Sequence, residues 1–105
     1  MADERRLNDR VKLNLPVRWE SFLTQQADTV TDLSQTGCFV LSGGKVELNE
    51  LIRLEISLPN DEPIYPWAEV VDLADEIGFS VRFIAMDDDE RERLEQFVRH
   101  MLNAR

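Results

Sequence analysis

The sequence predicts an all-β domain, a small antiparallel barrel or sandwich, followed by one C-terminal amphipathic helix. Three observations predict this fold. Alternating apolar residues recur in short separate runs before residue 85, turn-forming residues separate these runs, and the apolar spacing becomes helical after residue 87. A chain of 105 residues has the size of one domain. We therefore expect residues 1–105 to form a single unit.

The first half of the chain contains three predicted strands. Apolar side chains occupy every second position over residues 11–19, which is the period of a half-buried strand. Pro16 has no N–H to donate, so this strand should run along a sheet edge or contain a bulge there. A β-branched run predicts a short second strand at 28–31, and the apolar residues 38–41 predict a third. The polar segment 32–37 between them is typical of a turn.

The second half of the chain contains three further predicted strands and the helix. Strands are expected at 51–58, 67–72 and 78–84, so that the barrel covers residues 11–84. Carboxylates at 87–90 provide capping side chains and negative charge at a helix N-terminus. This role fits the spacing of the four carboxylates better than a calcium-binding loop does. The helix is expected at 87–103, and its apolar stripe consists of Leu94, Phe97, Val98, Met101 and Leu102.

Charge is unevenly distributed along the chain. The net charge is −9, yet residues 1–18 carry five basic and three acidic side chains. Binding to long nucleic acids or to anionic membranes depends on many Lys and Arg side chains, so both partner classes are excluded. A short cationic segment attached to an acidic remainder of the chain is suited to binding one small anion. No apolar run is long enough for a membrane span or a signal peptide, and we expect a cytoplasmic location.

Two short motifs carry the functional information. The first reads Arg-Arg-x-x-x-Arg directly before the first strand and consists of Arg5, Arg6 and Arg10. The second reads Asp-x-Ser-x-x-Gly at the end of the second strand and consists of Asp32, Ser34 and Gly37. Taken alone, an arginine-rich N-terminus is usually a solvated tail, and the second motif is usually a turn that bonds its own backbone.

In this order and context, the two motifs resemble those of the PilZ domain family of cyclic di-GMP receptors. The segment 78–83, Gly-Phe-Ser-Val-Arg-Phe, is similar to the last barrel strand of that family. The resemblance covers nearly the whole chain and implies a six-stranded antiparallel split barrel with a C-terminal helix. It also implies a binding protein that is not an enzyme. The arginine-rich arm at 1–10 has too little apolar surface to offset the entropy of holding it in place, so we expect it to be flexible.

Cyclic di-GMP has two phosphates and two guanines, whose O6 and N7 acceptors match the forked donors of arginine. The resemblance implies that Arg6 and Arg10 bind a phosphate and a guanine edge, and that Arg5 stacks on a base or contacts the second phosphate. Asp32 can accept hydrogen bonds from guanine N1–H and the exocyclic amine, and Ser34 can supply a hydroxyl. Gly37 would let the backbone approach the ligand or adopt positive φ.

The remaining polar and reactive residues are interpreted as structural. Cys38 is expected to be a small buried hydrophobe, and His100 a surface residue near the helix C-terminus. Trp19 and Trp67 are core or rim aromatics, and either could border the ligand. No catalytic constellation, metal cluster or cofactor motif is present in the sequence.

The resemblance also implies a protein partner. A receptor of this type would change conformation on binding cyclic di-GMP and act on an effector that controls bacterial motility, adhesion, exopolysaccharide production or biofilm formation. The alternative is a related interaction module that binds proteins and no nucleotide; retention of the arginine motif counts against it.

Overall fold

A computed structural model describes residues 8–22 and 24–104 of the protein. Over this part of the chain, the expected six strands and one helix are present. The elements are β1 (Val11–Glu20), β2 (Gln25–Leu33), β3 (Gly37–Leu41), β4 (Leu51–Ile56), β5 (Trp67–Ala74), β6 (Gly78–Ala85) and α1 (Asp88–Asn103).

The six strands form one closed antiparallel barrel in the order β1-β2-β3-β6-β5-β4. Hairpins join β1 to β2, β2 to β3 and β5 to β6, whereas β3 pairs with the distant strand β6. Pairing of β4 with β1 over Val17–Glu20 closes the ring. The predicted all-β barrel with a C-terminal helix is confirmed.

Near Pro16, β1 pairs with two neighbouring strands, β2 and β4. The register with β2 shifts between Lys12 and Leu15, directly before Pro16, which agrees with the expected bulge. The strand is not an edge strand, because β4 lies along its other side from Val17 to Glu20. The Pro16 carbonyl accepts a hydrogen bond from the Ser57 backbone N–H at 3.0 Å.

The inward-facing side chains fill the barrel with an apolar core. Trp19 is its largest member, and its ring meets Phe79 edge-on, with the ring centroids 5.3 Å apart. The indole N–H donates to the Asp28 carboxylate at 2.8 Å, and that carboxylate also accepts from the Ser42 hydroxyl at 2.6 Å. The expectation that Trp19 is a core aromatic is confirmed, whereas Trp67 lies at the surface with 43% of its area exposed.

Helix α1 covers one side of the barrel with the predicted stripe. Leu94 and Val98 are fully buried, and Arg93 donates to the carbonyl of Glu62 at 2.7 Å. Asp87 occupies the N-cap position, but its side chain makes no capping hydrogen bond. Glu90 does not cap either; it is buried and accepts a hydrogen bond from the Tyr65 backbone N–H at 3.1 Å. Among the described residues, no helix combines the length and apolar character required to cross a bilayer.

Strand β2 differs most from its predicted bounds. It begins at Gln25 and extends to Leu33, whereas the β-branched run predicts only residues 28–31. Its first residues are polar, so nothing in their pattern indicates a strand, and pairing with β1 extends it in both directions. As a result, Asp32 lies in a strand and not in a turn, and Gly37 is the first residue of β3.

Cys38 is buried in the barrel, as expected for a small hydrophobe, and burial raises the pKa of its thiol to about 12 despite the nearby Arg10. Because the thiolate is the reactive form, we predict that Cys38 stays unmodified by a thiol reagent at pH 8 in the folded protein and reacts readily in urea. Raising the pH towards 9 should accelerate the modification of Cys38 only in the unfolded protein. Rapid modification of the folded protein, measured by absorbance of the released thiol chromophore, would contradict this prediction.

Candidate functional site

A bulge in β2 directs Asp32 to the outside of the barrel. Val30 and Leu33 are both fully buried, although they are three residues apart and strict alternation would put them on opposite faces. The register with β3 shifts between Val30 and Asp32, which leaves Thr31 without a cross-strand partner. Bulges of this kind change the direction of the side chains that follow. Asp32 therefore stands on the outer surface, paired with Phe39 of β3.

Asp32 lies beside two basic residues of the chain start. Lys12 is its cross-strand neighbour on β1, and the Lys12 ammonium lies 3.3 Å from Asp32 Oδ1. The lysine side chain is 89% exposed and that of Asp32 22%, so solvent screens this pair and its contribution to stability is small. Arg10 precedes β1 and is exposed. The carboxylate is thus held on the surface next to a cationic segment.

Arg10 and Asp32 line the same groove, which has a volume of about 540 Å³. Val11 and Lys12 of β1, Met101 of helix α1 and Ala104 directly after the helix also line it. A groove of this volume is in the range that holds small-molecule ligands. It combines a forked cationic donor, a carboxylate acceptor and apolar side chains within one concave surface.

Ser34 organises the turn that follows Asp32. The side chain is 4% exposed, and its hydroxyl oxygen accepts hydrogen bonds from the backbone N–H groups of Thr36 and Gly37, both at 3.1 Å. The Ser34 N–H donates to the carbonyl of Gly37 at 2.9 Å. These bonds close a tight hairpin between β2 and β3. In this conformation, Ser34 supports the loop from within and does not face the groove.

The close packing of β3 against β6 requires a glycine at position 37. The glycines of the described residues have no positive φ, so of the two roles expected for Gly37 the positive φ is wrong. A Cβ built at this position would overlap the backbone carbonyl oxygen of Val81 on the paired strand. Glycine therefore allows β3 and β6 to approach closely here. A close approach of a ligand to Gly37 stays a prediction.

The six predicted site residues are thus only partly brought together. Arg10 and Asp32 share the groove, whereas Ser34 and Gly37 hold the adjoining hairpin. Arg5 and Arg6 lie outside the described residues, as does most of the predicted arm.

Several residues near the site were not predicted from sequence. The sequence places Lys12 among the basic residues of the chain start and Met101 in the apolar stripe of the helix, and it gives Ala104 no role. The proximity of these residues to Asp32 depends on strand register and helix docking. A second link joins the chain start to the hairpin, because the Thr36 hydroxyl donates to the Asn8 side-chain oxygen at 3.0 Å. No sequence pattern marks this bond. Neither Trp19 nor Trp67 lines the groove with Arg10 and Asp32.

Comparison with known proteins decides the family. The PilZ domain family model matches residues 4–100, which is almost the entire chain. The chain belongs to the PilZ domain family. PilZ domains include cyclic di-GMP receptors and act as receptor or adaptor modules rather than as enzymes. Within the described residues of this PilZ domain, no group of three or more His, Cys, Asp and Glu side chains is arranged to hold a metal ion.

Solved structures with the same fold include the PilZ domain of CeSA and two further proteins. The PilZ domain of CeSA from a cellulose-synthesizing bacterium is 14% identical with a TM-score of 0.68, over 90% of this chain and 99% of that one. The Bacillus subtilis inhibitor of motility MotI/DgrA is 23% identical with a TM-score of 0.76, over 91% of this chain. Borreliella burgdorferi PlzA in complex with c-di-GMP is 11% identical with a TM-score of 0.69, over 92% of this chain.

The TM-scores of these three structures show a shared fold, and their low sequence identities carry the comparison no further than the fold. The chain spans 50% of MotI/DgrA and 42% of PlzA, so both of those proteins contain further regions. A search of curated proteins finds no match to the sequence.

Proposed function

We propose that this PilZ domain is a cyclic di-GMP receptor and that the ligand binds in the groove between the chain start and strand β2. The observation that carries the proposal is that Arg10 and Asp32, which are far apart in the sequence, line one groove. An arginine can bind a guanine edge or a phosphate through two parallel hydrogen bonds. A carboxylate can accept the guanine N1–H and exocyclic amine together. The two residues offer complementary chemistry to the two ends of one guanylate.

The other motif residues would complete the site. Arg5 and Arg6 belong to the same arginine motif as Arg10 and would supply the remaining contacts to phosphate and guanine. Ser34 and Gly37 would act through the hairpin that they hold beside Asp32, because the Ser34 hydroxyl already accepts two backbone hydrogen bonds at 3.1 Å. The ion pair of Lys12 with Asp32 is exposed and weak, so a guanine could displace it at little cost.

Signalling would require a protein effector. The described residues form one barrel and one helix. A conformational change at the groove would therefore alter the surface of this domain, and the effector would bind to that altered surface. A similar fold occurs in MotI/DgrA, which is named an inhibitor of motility. We infer that the effector controls motility, adhesion, exopolysaccharide production or biofilm formation, and that the receptor acts in the cytosol.

Isothermal titration with cyclic di-GMP tests the proposal. We expect micromolar or tighter binding, and much weaker binding of GTP and cyclic GMP, because only the cyclic dinucleotide presents two guanines and two phosphates together. The two mononucleotides serve as controls for simple attraction of an anion by the arginines. Absence of heat at high concentrations of cyclic di-GMP, in a protein whose circular dichroism indicates a folded barrel, would reject the proposal.

A second candidate function is a protein-interaction module that binds no nucleotide. It is favoured by the hydrogen bonds of Ser34, which satisfy the loop without any ligand. The same titration separates the candidates, since the module would give no heat with any of the three nucleotides.

A further inference from the structure

A second groove lies on the outer face of the barrel where β1 pairs with β4. Arg18 stands directly opposite Glu55, and Glu20 stands directly opposite Arg53. All four side chains point outwards, because Val17, Trp19, Leu54 and Ile56 between them are buried. Each charge therefore has an opposite charge beside it on its own strand and across the strand pair. We call these four residues the charge square.

The charged groups of the square do not contact each other directly. Neither cross-strand pair of these described residues forms an ion pair. The Glu20 carboxylate accepts instead from Gln25 at 2.8 Å, and Arg53 donates to the carbonyl of Tyr65 at 2.9 Å. The Arg53 guanidinium also lies 5.1 Å from the centre of the Trp67 ring. The carboxylates and Arg18 thus retain donors and acceptors for another molecule.

Exposed aromatic surface borders the same face. The charge square and Tyr65 line one groove of about 490 Å³. Tyr65 is 41% exposed and Trp67, beside Arg53, is 43% exposed. Aromatic residues and arginine are enriched at the centres of protein interfaces, where they supply most of the binding energy.

The alternating pattern of the charge square is complementary to itself. A two-fold axis lying in the face and parallel to the strands would set Arg18 against Glu55 of the partner subunit. An axis across the strands would set Arg18 against Glu20 of the partner subunit. In either case all four charges meet opposite charges, and each contact occurs twice by symmetry. We propose that this face pairs with the same face of a second copy of this chain to form a dimer.

Charge favours a second copy over other occupants. The chain carries a net charge of −9, so two copies repel each other over most of their surfaces. The charge square has no net charge and is one place where two copies can meet without that repulsion. A strongly basic or strongly acidic partner would find like charges on half of the square. Opposite charges in register give specificity even where each surface pair contributes little.

The proposed dimer face is separate from the proposed nucleotide groove. Lys12 and Arg18 lie on the same strand, six residues and about 20 Å apart. Pairing through the charge square therefore leaves the groove of Arg10 and Asp32 open. Dimer formation and nucleotide binding can be tested and can fail independently.

Sedimentation equilibrium over a range of concentrations tests the dimer. We expect a reversible dimer in the wild-type protein, weakened by salt. Arg18→Glu replaces two attractive contacts per dimer by two repulsive ones, so the dissociation constant should rise by about 10-fold or more. Lys45→Glu is the matched control, because it makes the same change in net charge at an exposed residue outside the groove. It should leave the dissociation constant close to that of the wild type.

Reversal of the whole square provides the decisive variant. The substitutions are Arg18→Glu, Glu20→Arg, Arg53→Glu and Glu55→Arg. They preserve the net charge and the alternating pattern, so this variant should dimerise more tightly than Arg18→Glu, with a dissociation constant close to that of the wild type. A wild-type protein that stays monomeric at every concentration reached would overturn the proposal. An equal effect of Arg18→Glu and Lys45→Glu, or a monomeric four-fold variant with native circular dichroism, would do the same.

Discussion

Replacing Arg10 by alanine should weaken cyclic di-GMP binding by about 10- to 150-fold. Hydrogen bonds that involve a charged group contribute roughly 1.5–3 kcal/mol, and this range corresponds to that loss of affinity. Arg10 is exposed and precedes β1, so its removal should leave the free energy of unfolding nearly unchanged. Isothermal titration gives the dissociation constant, and urea denaturation checks the fold.

Two further variants define the cause of that loss. Arg10→Lys keeps the positive charge but loses the planar fork, and it should also bind more weakly than the parent protein. Arg91→Ala removes an exposed arginine of helix α1 that does not line the groove, and it should bind as the parent does. If Arg10→Lys binds like the parent, attraction of charge explains the site better than a forked contact.

Gly37→Ala should destabilise the barrel by about 3 kcal/mol, the upper part of the range for overpacking. The added Cβ would overlap the carbonyl oxygen of Val81, and backbone atoms cannot move aside as a flexible side chain can. Relief would require β3 and β6 to separate, which would weaken their pairing from Gly37 to Leu41. The measurement is the midpoint and slope of urea unfolding.

Gly43→Ala is the matched control for Gly37→Ala. No atom lies within 4 Å of a Cβ built at Gly43, so alanine there meets open space and should change stability by less than about 1 kcal/mol in either direction. Equal midpoints for the two variants would show that β3 and β6 tolerate a side chain at position 37. Because the prediction concerns the barrel alone, it holds whether or not the protein binds a nucleotide.

The sequence by itself determined the element types and the family resemblance. Period-two alternation predicted β1 and β4, because a strand buries every second side chain. The stripe from Leu94 to Leu102 predicted helix α1, because it repeats at the helical period. The two motifs pointed to the PilZ family through residue types and order, and the family model confirms that resemblance.

Tertiary structure alone decided which side chains meet. The bulge at Thr31 turns Asp32 outwards, and it arises from the register of β2 with its neighbours, which local sequence does not encode. Pairing of the distant strands β3 and β6 gives Gly37 its packing role. The register of β1 and β4 likewise sets Arg18 beside Glu55. These placements depend on contacts between residues far apart in the chain, whereas periodicity reports only on near neighbours.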